Sequence, residues 1–243
     1  MARTVRIAAM ADPHYGKTAT ESLRSVFREI SEAADVLVLC GDLTDYGLPE
    51  EAETALAELR VASIPIIGVL GNHDYQSGRE KEVRDIFERG GVKILDGDSI
   101  EVSGVGFAGT KGFGGGFGAH TLEPWGETMI KAFVQEALDE ALKLESALSR
   151  LRTEHRIAVL HYAPIAATVA GEPEQIFPYL GSSRLEDPIN RHRCDAVFHG
   201  HAHRGTHDGA TQTGIPVYNV SLSLMRRNFP QEPPYRLIKI SLE

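Results

Sequence analysis

At 243 residues the chain can bury a sizeable core, and its 24% charged and 42% apolar residues are ordinary for a globular protein. No stretch approaches 18 apolar residues, so no transmembrane helix is expected, and a formal net charge of −9 argues against broad binding to nucleic-acid backbones. The two cysteines, Cys40 and Cys194, both fall inside apolar runs, which reads as buried free thiols in a reducing, cytoplasmic setting.

The first apolar run, VRIAAMADPH at residues 5–14, stops at Asp12 and His14. Arg3 and Arg6 give it a superficial likeness to a signal peptide. The apolar part is short, however, and cleavage would remove Asp12 and His14, so it is read as a strand. Residues 20–34 follow with Leu23, Val26, Phe27 and Ile30 at helical spacing. The second run, DVLVLCGDLTD at 35–45, precedes a helix over 49–60 that begins with Pro49 in its first turn. The third, IPIIGVLGNHD at 64–74, precedes an amphipathic segment at 79–89.

The alternation then breaks at GVGFAGTKGFGGGFG, residues 104–118, with eight Gly and three Phe. Its GVGFAGTK portion is not a P-loop, because Thr110 separates the final Gly from Lys111. The segment reads either as a flexible loop at the rim of a cleft, where Phe113, Phe117, His120 or Trp125 cover a substrate, or as a Gly-rich strand pair and turn. Residues 127–152 form one long predicted helix. Its apolar stripe of Ile130, Phe133, Val134, Leu138, Leu142, Leu144, Leu148 and Leu151 suits core, a cap support or a homo-oligomer interface. The fourth run, RIAVLHYAP at 156–164, leads into a long loop at 163–192 that is the expected seat of substrate choice, with Tyr179 and Arg184 as candidate contacts. The last run, CDAVFHGHAH at 194–203, is followed directly by Arg204, a further candidate contact. Strands alternating with helices give an α/β expectation.

All five runs end in residues that bind metals. Val- and Ile-rich runs bounded by Gly resemble strands buried on both faces, and ligands collect beyond the carboxyl ends of such strands. Asp12 and His14 are two apart, as are His201 and His203, so each pair shares one side of an extended chain. Asp42, Asn72 and His161 add one donor each. Seven donors exceed what one ion needs, whereas two ions roughly 3.5–4 Å apart would use them all. Asp42 is the natural bridge, because a carboxylate has two oxygens. An all-nitrogen-and-oxygen set favours Mn, Fe, Co, Ni or Zn without selecting among them.

The blocks Asp12-Pro13-His14, Gly41-Asp42-Leu43-Thr44-Asp45, Gly71-Asn72-His73-Asp74, His161 and Gly200-His201-Ala202-His203 resemble the five motifs of the calcineurin-like metallophosphoesterase superfamily, in the family's order. The resemblance implies a four-layer α/β sandwich of two mixed β-sheets flanked by helices. Residues 1–243 would then be a single domain, with a rim or cap insertion at about 104–152. It implies one metal on Asp12, His14, Asp42 and His203 and a second on Asp42, Asn72, His161 and His201. His73 would face the phosphate and leaving group, with Asp74 orienting its ring. The implied reaction is hydrolysis of a phosphate ester by a metal-bridging hydroxide, with His73 as proton donor.

The remaining positions are read more plainly. His155 and His192 sit in charged segments, and His199 shares parity with the ligand pair but is separated from it by Gly200, where the chain can turn. Asp45 is expected to brace its loop by accepting backbone N–H groups. A small-molecule phosphodiesterase is the leading expectation, since His73 is the family's donor in diester cleavage. A phosphomonoesterase acting on a small molecule or phosphoprotein shares the motifs. A non-catalytic metal-binding scaffold would lack ligands, and none is missing here.

Overall fold

The computed structural model describes residues 3–16 and 21–242. Inner strands form where apolar residues run uninterrupted, so that both faces can be covered. In chain order the strands are β1 (Arg3–Met10), β2 (Val36–Cys40), β3 (Ile66–Val69), β4 (Val92–Ile94), β5 (Asp98–Val102), β6 (Val105–Gly109), β7 (His155–Val159), β8 (Ala196–His199), β9 (Asp208–Ala210), β10 (Pro216–Asn219) and β11 (Arg236–Leu242). The helices are α1 (Arg24–Ala33), α2 (Pro49–Leu59), α3 (Glu80–Arg89), α4 (Thr128–Arg150), α5 (Phe177–Leu180), α6 (Glu186–Arg191) and α7 (Leu222–Asn228).

The strands make two mixed sheets. One has the order β11-β1-β2-β3-β4, with only the β1–β11 pair antiparallel. The other has the order β5-β6-β7-β8-β10-β9, parallel through its middle and antiparallel at both edges. Side chains alternate between faces along a strand, and the packing follows that period. Ile7, Ala9, Val36, Val38, Ile67 and Val69 meet Phe107, Ile157, Val159 and Phe198 between the sheets. Their neighbours Ala8, Met10, Leu37 and Leu39 pack outward on Phe27 and Ile30 of α1, Leu56 of α2 and Phe87 of α3. On the far side Ala158 and Val197 pack against Leu144, Ala147 and Leu148 of α4 and Ile189 of α6. The result is helix, sheet, sheet, helix, as the fold expectation had it. A fully buried Phe107 contributes about 1.5–3 kcal/mol by transfer alone.

The expected helices form over α1, α2, α3 and α4; Thr20, placed at the start of the first, lies outside the described residues. The rim insertion at 104–152 requires correction. Residues 105–109 are a strand buried throughout, and α4 covers the second sheet, so only the chain between them stands outside the layers. That connecting chain is tied down. Glu140 of α4, 1% exposed, accepts hydrogen bonds from Thr110 Oγ1 (2.5 Å) and Gly112 N (2.8 Å). The expected α4 stripe is also shifted: Leu142 and Ile130 face outward, while Ala137, Glu140 and Ala147 are buried in their place. Both cysteines are buried free thiols. Among the described residues, no helix is long and apolar enough to cross a membrane.

Candidate metal centre

Parallel strands bring their carboxyl ends to one edge, and both sheets do so at the same place. The chain leaves β1 through Asp12 and His14, β2 through Asp42, β3 through Asn72 and His73, β7 through His161, and β8 through His201 and His203. Backbone bonds fasten the exits together: Asp12 N donates to Gly41 O (3.0 Å), His14 N to Asp42 O (3.1 Å) and Gly200 N to His161 O (3.1 Å). Asp12, His14, Asp42 and His201 all have positive φ, from 45° to 68°. Left-handed backbone costs a non-glycine residue roughly 1–3 kcal/mol and gathers where geometry serves function. Here it turns side chains from several strand ends toward one point. Glycines make room for them: a Cβ on Gly41 would lie 2.5 Å from His161 Nδ1, and one on Gly71 would overlap Asp42.

Donor atoms from Asp12, His14, Asp42 and His203 lie within 4.8 Å of one another, and so do donors from Asp42, His161 and His201. Asp42 belongs to both groups. His14 Nε2 is 3.4 Å from His203 Nε2 and 3.8 Å from Asp42 Oδ2, and His203 Nε2 is 3.6 Å from Asp12 Oδ2. On the other side His161 Nε2 is 3.4 Å from Asp42 Oδ1 and 2.8 Å from Asn72 Oδ1. Two donors each about 2.1 Å from one ion stand about 3–3.5 Å apart, so these spacings fit ligands of shared cations. The tautomers fit as well. His161 Nδ1 donates to Cys40 O (3.0 Å) and His201 Nε2 to Tyr179 O (3.1 Å), which leaves each ring one lone-pair nitrogen.

The electrostatics point the same way. Burial, reinforced by Asp12 and then Asp74, pushes the Asp42 carboxyl up to about 9. Burial also raises Asp12, but His203 and His161 together outweigh it and hold that carboxyl below the usual range. Burial lowers His14 to about 4 and brings His161 and His201 down, so these imidazoles are neutral, as ligands must be. His203 is raised by its hydrogen bond to Asp12. His14 Nδ1 is buried without a hydrogen-bond partner. Crowded acids with neutral histidines form a donor set that bound cations would relieve. The residues therefore fit a pair of divalent ions.

Two expectations exchange places. Asp74, fully buried, does not orient His73. Its carboxylate accepts from Gly71 N (2.8 Å), Leu43 N (3.2 Å), Thr44 N (2.8 Å) and Thr44 Oγ1 (2.6 Å), locking two motif loops together. The brace expected of Asp45 is thus supplied by Asp74. The His73 ring is set instead by Asp45, whose carbonyl accepts from His73 Nδ1 at 2.7 Å and whose carboxylate lies 3.9 Å away. That bond leaves Nε2 free, on a side chain 41% exposed and edge-on to His14 at 4.5 Å between ring centres.

The candidate contacts divide. Tyr179 lies beside His201, accepting from its ring through the main chain. Arg184 does not reach inward: Nη2 donates to Leu122 O (2.8 Å) and lies 3.5 Å from Glu123 Oε1. Arg204 is exposed, and its backbone N–H is taken by Glu172. His199 is buried, pairing with Gly200 O and Thr168 Oγ1, and stands outside both donor groups. Sequence reasoning missed Lys111. Its carbonyl accepts from both His161 N and Tyr162 N (3.0 Å each), and its Nζ lies over the Phe113 ring at 4.8 Å. No spacing rule marks such a residue.

Comparison with known proteins agrees with this geometry. The model of the family named calcineurin-like phosphoesterase matches residues 5–205. No curated protein matches the sequence. Among solved structures, phosphopantetheinyl hydrolase from Mycobacterium tuberculosis superposes with a TM-score of 0.70 at 16% identity, over 96% of this chain and 95% of that one. A protein of Thermus thermophilus gives a TM-score of 0.57 at 17% identity, over 99% and 100%. Purple acid phosphatase from yellow lupin seeds gives 0.56 at 12% identity, over 86% of this chain and 38% of that one. These likenesses concern the fold.

Proposed function

Because the chain belongs to the calcineurin-like phosphoesterase family, and is therefore a metal-dependent phosphoric ester hydrolase, we propose that it is a dinuclear phosphodiesterase of small molecules with His73 as proton donor. The observation that carries this reading is the single carboxylate, Asp42, shared by two groups of donors. Asp12, His14 and His203 would complete one ion's ligands, and Asn72, His161 and His201 the other's. Bound there, two divalent ions would supply Lewis-acid stabilisation of the phosphoryl oxygens and a water acidic enough to attack at neutral pH.

The chain's own groups do the rest. Asp42 sits where burial disfavours its ionised form, so its negative charge would be balanced by bound cations. His73, pinned through Nδ1 to Asp45 O, directs Nε2 toward the open side, where it can hand a proton to a departing alkoxide. Asp74 keeps the loops that carry Asp42 and His73 in register. The net charge of −9 favours a small ester over a nucleic acid, and the two buried free thiols suit a reducing cytoplasm.

The test is hydrolysis by metal-stripped protein with Mn, Fe, Co, Ni and Zn restored singly. Metal-dependent turnover of diesters is expected to exceed that of monoesters, and Asp42→Ala is expected to abolish it. His73→Ala should cost about 10²–10⁴-fold in kcat on alkyl leaving groups and far less on p-nitrophenolate, which needs no proton. An equal loss on both leaving groups would remove His73 from the proton-donor role.

A further inference from the structure

Beside the ligands of the second ion the lining is uncharged, and the Lys111 ammonium, over the Phe113 and Tyr162 rings at 4.8 and 5.4 Å, opens on a separate cavity. A hollow of about 390 Å³ opens beside those ligands, with Asn72 and His201 on one side and Phe113, Phe133, Tyr162 and Tyr179 around it. The rings form a connected series: His201 to Tyr162 at 4.5 Å, Tyr162 to Phe113 at 5.8 Å, Phe113 to Phe133 at 4.9 Å and Phe133 to Tyr179 at 6.0 Å between centres. Phe133 and Tyr179 also wall a second hollow of about 460 Å³, continued by Leu122, Met129, Ile130 and Pro178. Among the described residues lining the two hollows there is no Lys, Arg, Asp or Glu. Met129 is 78% exposed and Tyr179 63%, so apolar surface is left facing water along this path. A third cavity, of about 310 Å³, differs in kind: its Lys111 and Lys143 are already paired with Glu136, Asp96 and Glu140.

His73 does not line either hollow; its ring is edge-on to His14, one of the donors of the first ion. The proton donor must face the alcohol that leaves, and the attacking oxygen comes in line from the opposite side, so the ester group that stays on phosphorus projects sideways and needs a site that His73 does not line. We propose that the retained ester group of the substrate is uncharged, apolar and at least of aryl size, and that it lies in the Phe113–Phe133–Tyr162–Tyr179 hollow and extends along the outer groove when long. The proposal deepens the phosphodiesterase reading and rests on it. In the step so arranged, the bond from phosphorus to the leaving oxygen breaks and water oxygen bonds to phosphorus. One proton from that water is balanced by the proton His73 gives to the departing alcohol, and the product monoester keeps the apolar group. Aromatic walls suit such a group because rings bury large area and stack on planar partners.

The experiment compares p-nitrophenyl phosphodiesters whose second ester group is methyl, benzyl or naphthylmethyl, so that the leaving group never changes. Two-ion protein is expected to prefer naphthylmethyl over methyl in kcat/KM by at least about tenfold, as burial of a ring's apolar area implies. Phe133→Ala and Tyr179→Glu should each pull that ratio toward one, while Leu142→Ala, on α4 but outside both hollows, should keep it. Calorimetry with naphthylmethylphosphonate against methylphosphonate, product-like and not hydrolysable, should show the same preference and the same losses. Turnover with no preference overturns the proposal, as does a preference that survives both variants. No turnover of any diester with two ions bound would sink the phosphodiesterase reading instead, and the calorimetric comparison alone would then decide the hollow.

Discussion

At Asp42, burial together with Asp12 and Asp74 disfavours the charged form, so the metal-free carboxyl is raised to about 9. The sign of the consequence is definite. Below that value the metal-free protein holds a proton that a cation must displace, so apparent metal affinity rises with pH and flattens above about 9. Calorimetric titration with Mn at pH 7, in buffers of differing ionisation enthalpy, should therefore show release of about one proton attributable to this site. Uptake, or no exchange, would mean that Asp42 is already ionised without metal. The gathering of these strand-end residues at one place was legible because ends bearing Asp, His and Asn repeat five times in the sequence. The roles of Asp45 and Asp74 were not. His73 and Asp74 are adjacent in a single 3₁₀ turn, so their side chains diverge, and adjacency in sequence says nothing of contact.

Between elements, Asp74 joins the loop after β2 to the loop after β3 through four hydrogen bonds to one buried carboxylate. Asn in its place offers a single acceptor oxygen and sets its own N–H₂ against the donors. Asp74→Asn is expected to cost about 1–3 kcal/mol in urea unfolding and to weaken metal binding. The ratio of turnover on alkyl to p-nitrophenyl leaving groups, which reads the His73 role, should stay where it is, since the His73 ring is held by Asp45 O. A fall in that ratio would restore Asp74 as its partner. The long buried strands were readable from their apolar runs, but the three-residue β4 and β9 were not, because so short an element shows no period. Of the two readings of the Gly-rich stretch, the strand pair and turn holds over its first part, where β6 pairs with β5. Gly106 and Gly109 sit in β6, where a Cβ would press on Leu151 and on Val69, so these glycines mark close packing between layers and not a mobile rim.

Over the whole molecule, two sheets interdigitate through Ile7, Val38, Val69, Phe107 and Phe198 and bring strand ends from both to one edge. The motif order implied this architecture, while the outward turn of Leu142 and the burial of Glu140 on α4 depend on neighbours far away in sequence. No periodicity in one helix could encode them. The centre that results depends on residues 12 to 203 arriving together, and its defining claim is that two ions share Asp42. Electron paramagnetic resonance of the protein loaded with two equivalents of Mn(II) addresses that claim most directly. Ions roughly 3.5–4 Å apart with a common carboxylate should give the spectrum of an exchange-coupled pair. Asp42→Ala should lose that coupling. The six-line pattern of isolated Mn(II) in the unsubstituted protein, with both equivalents bound, would contradict the shared centre.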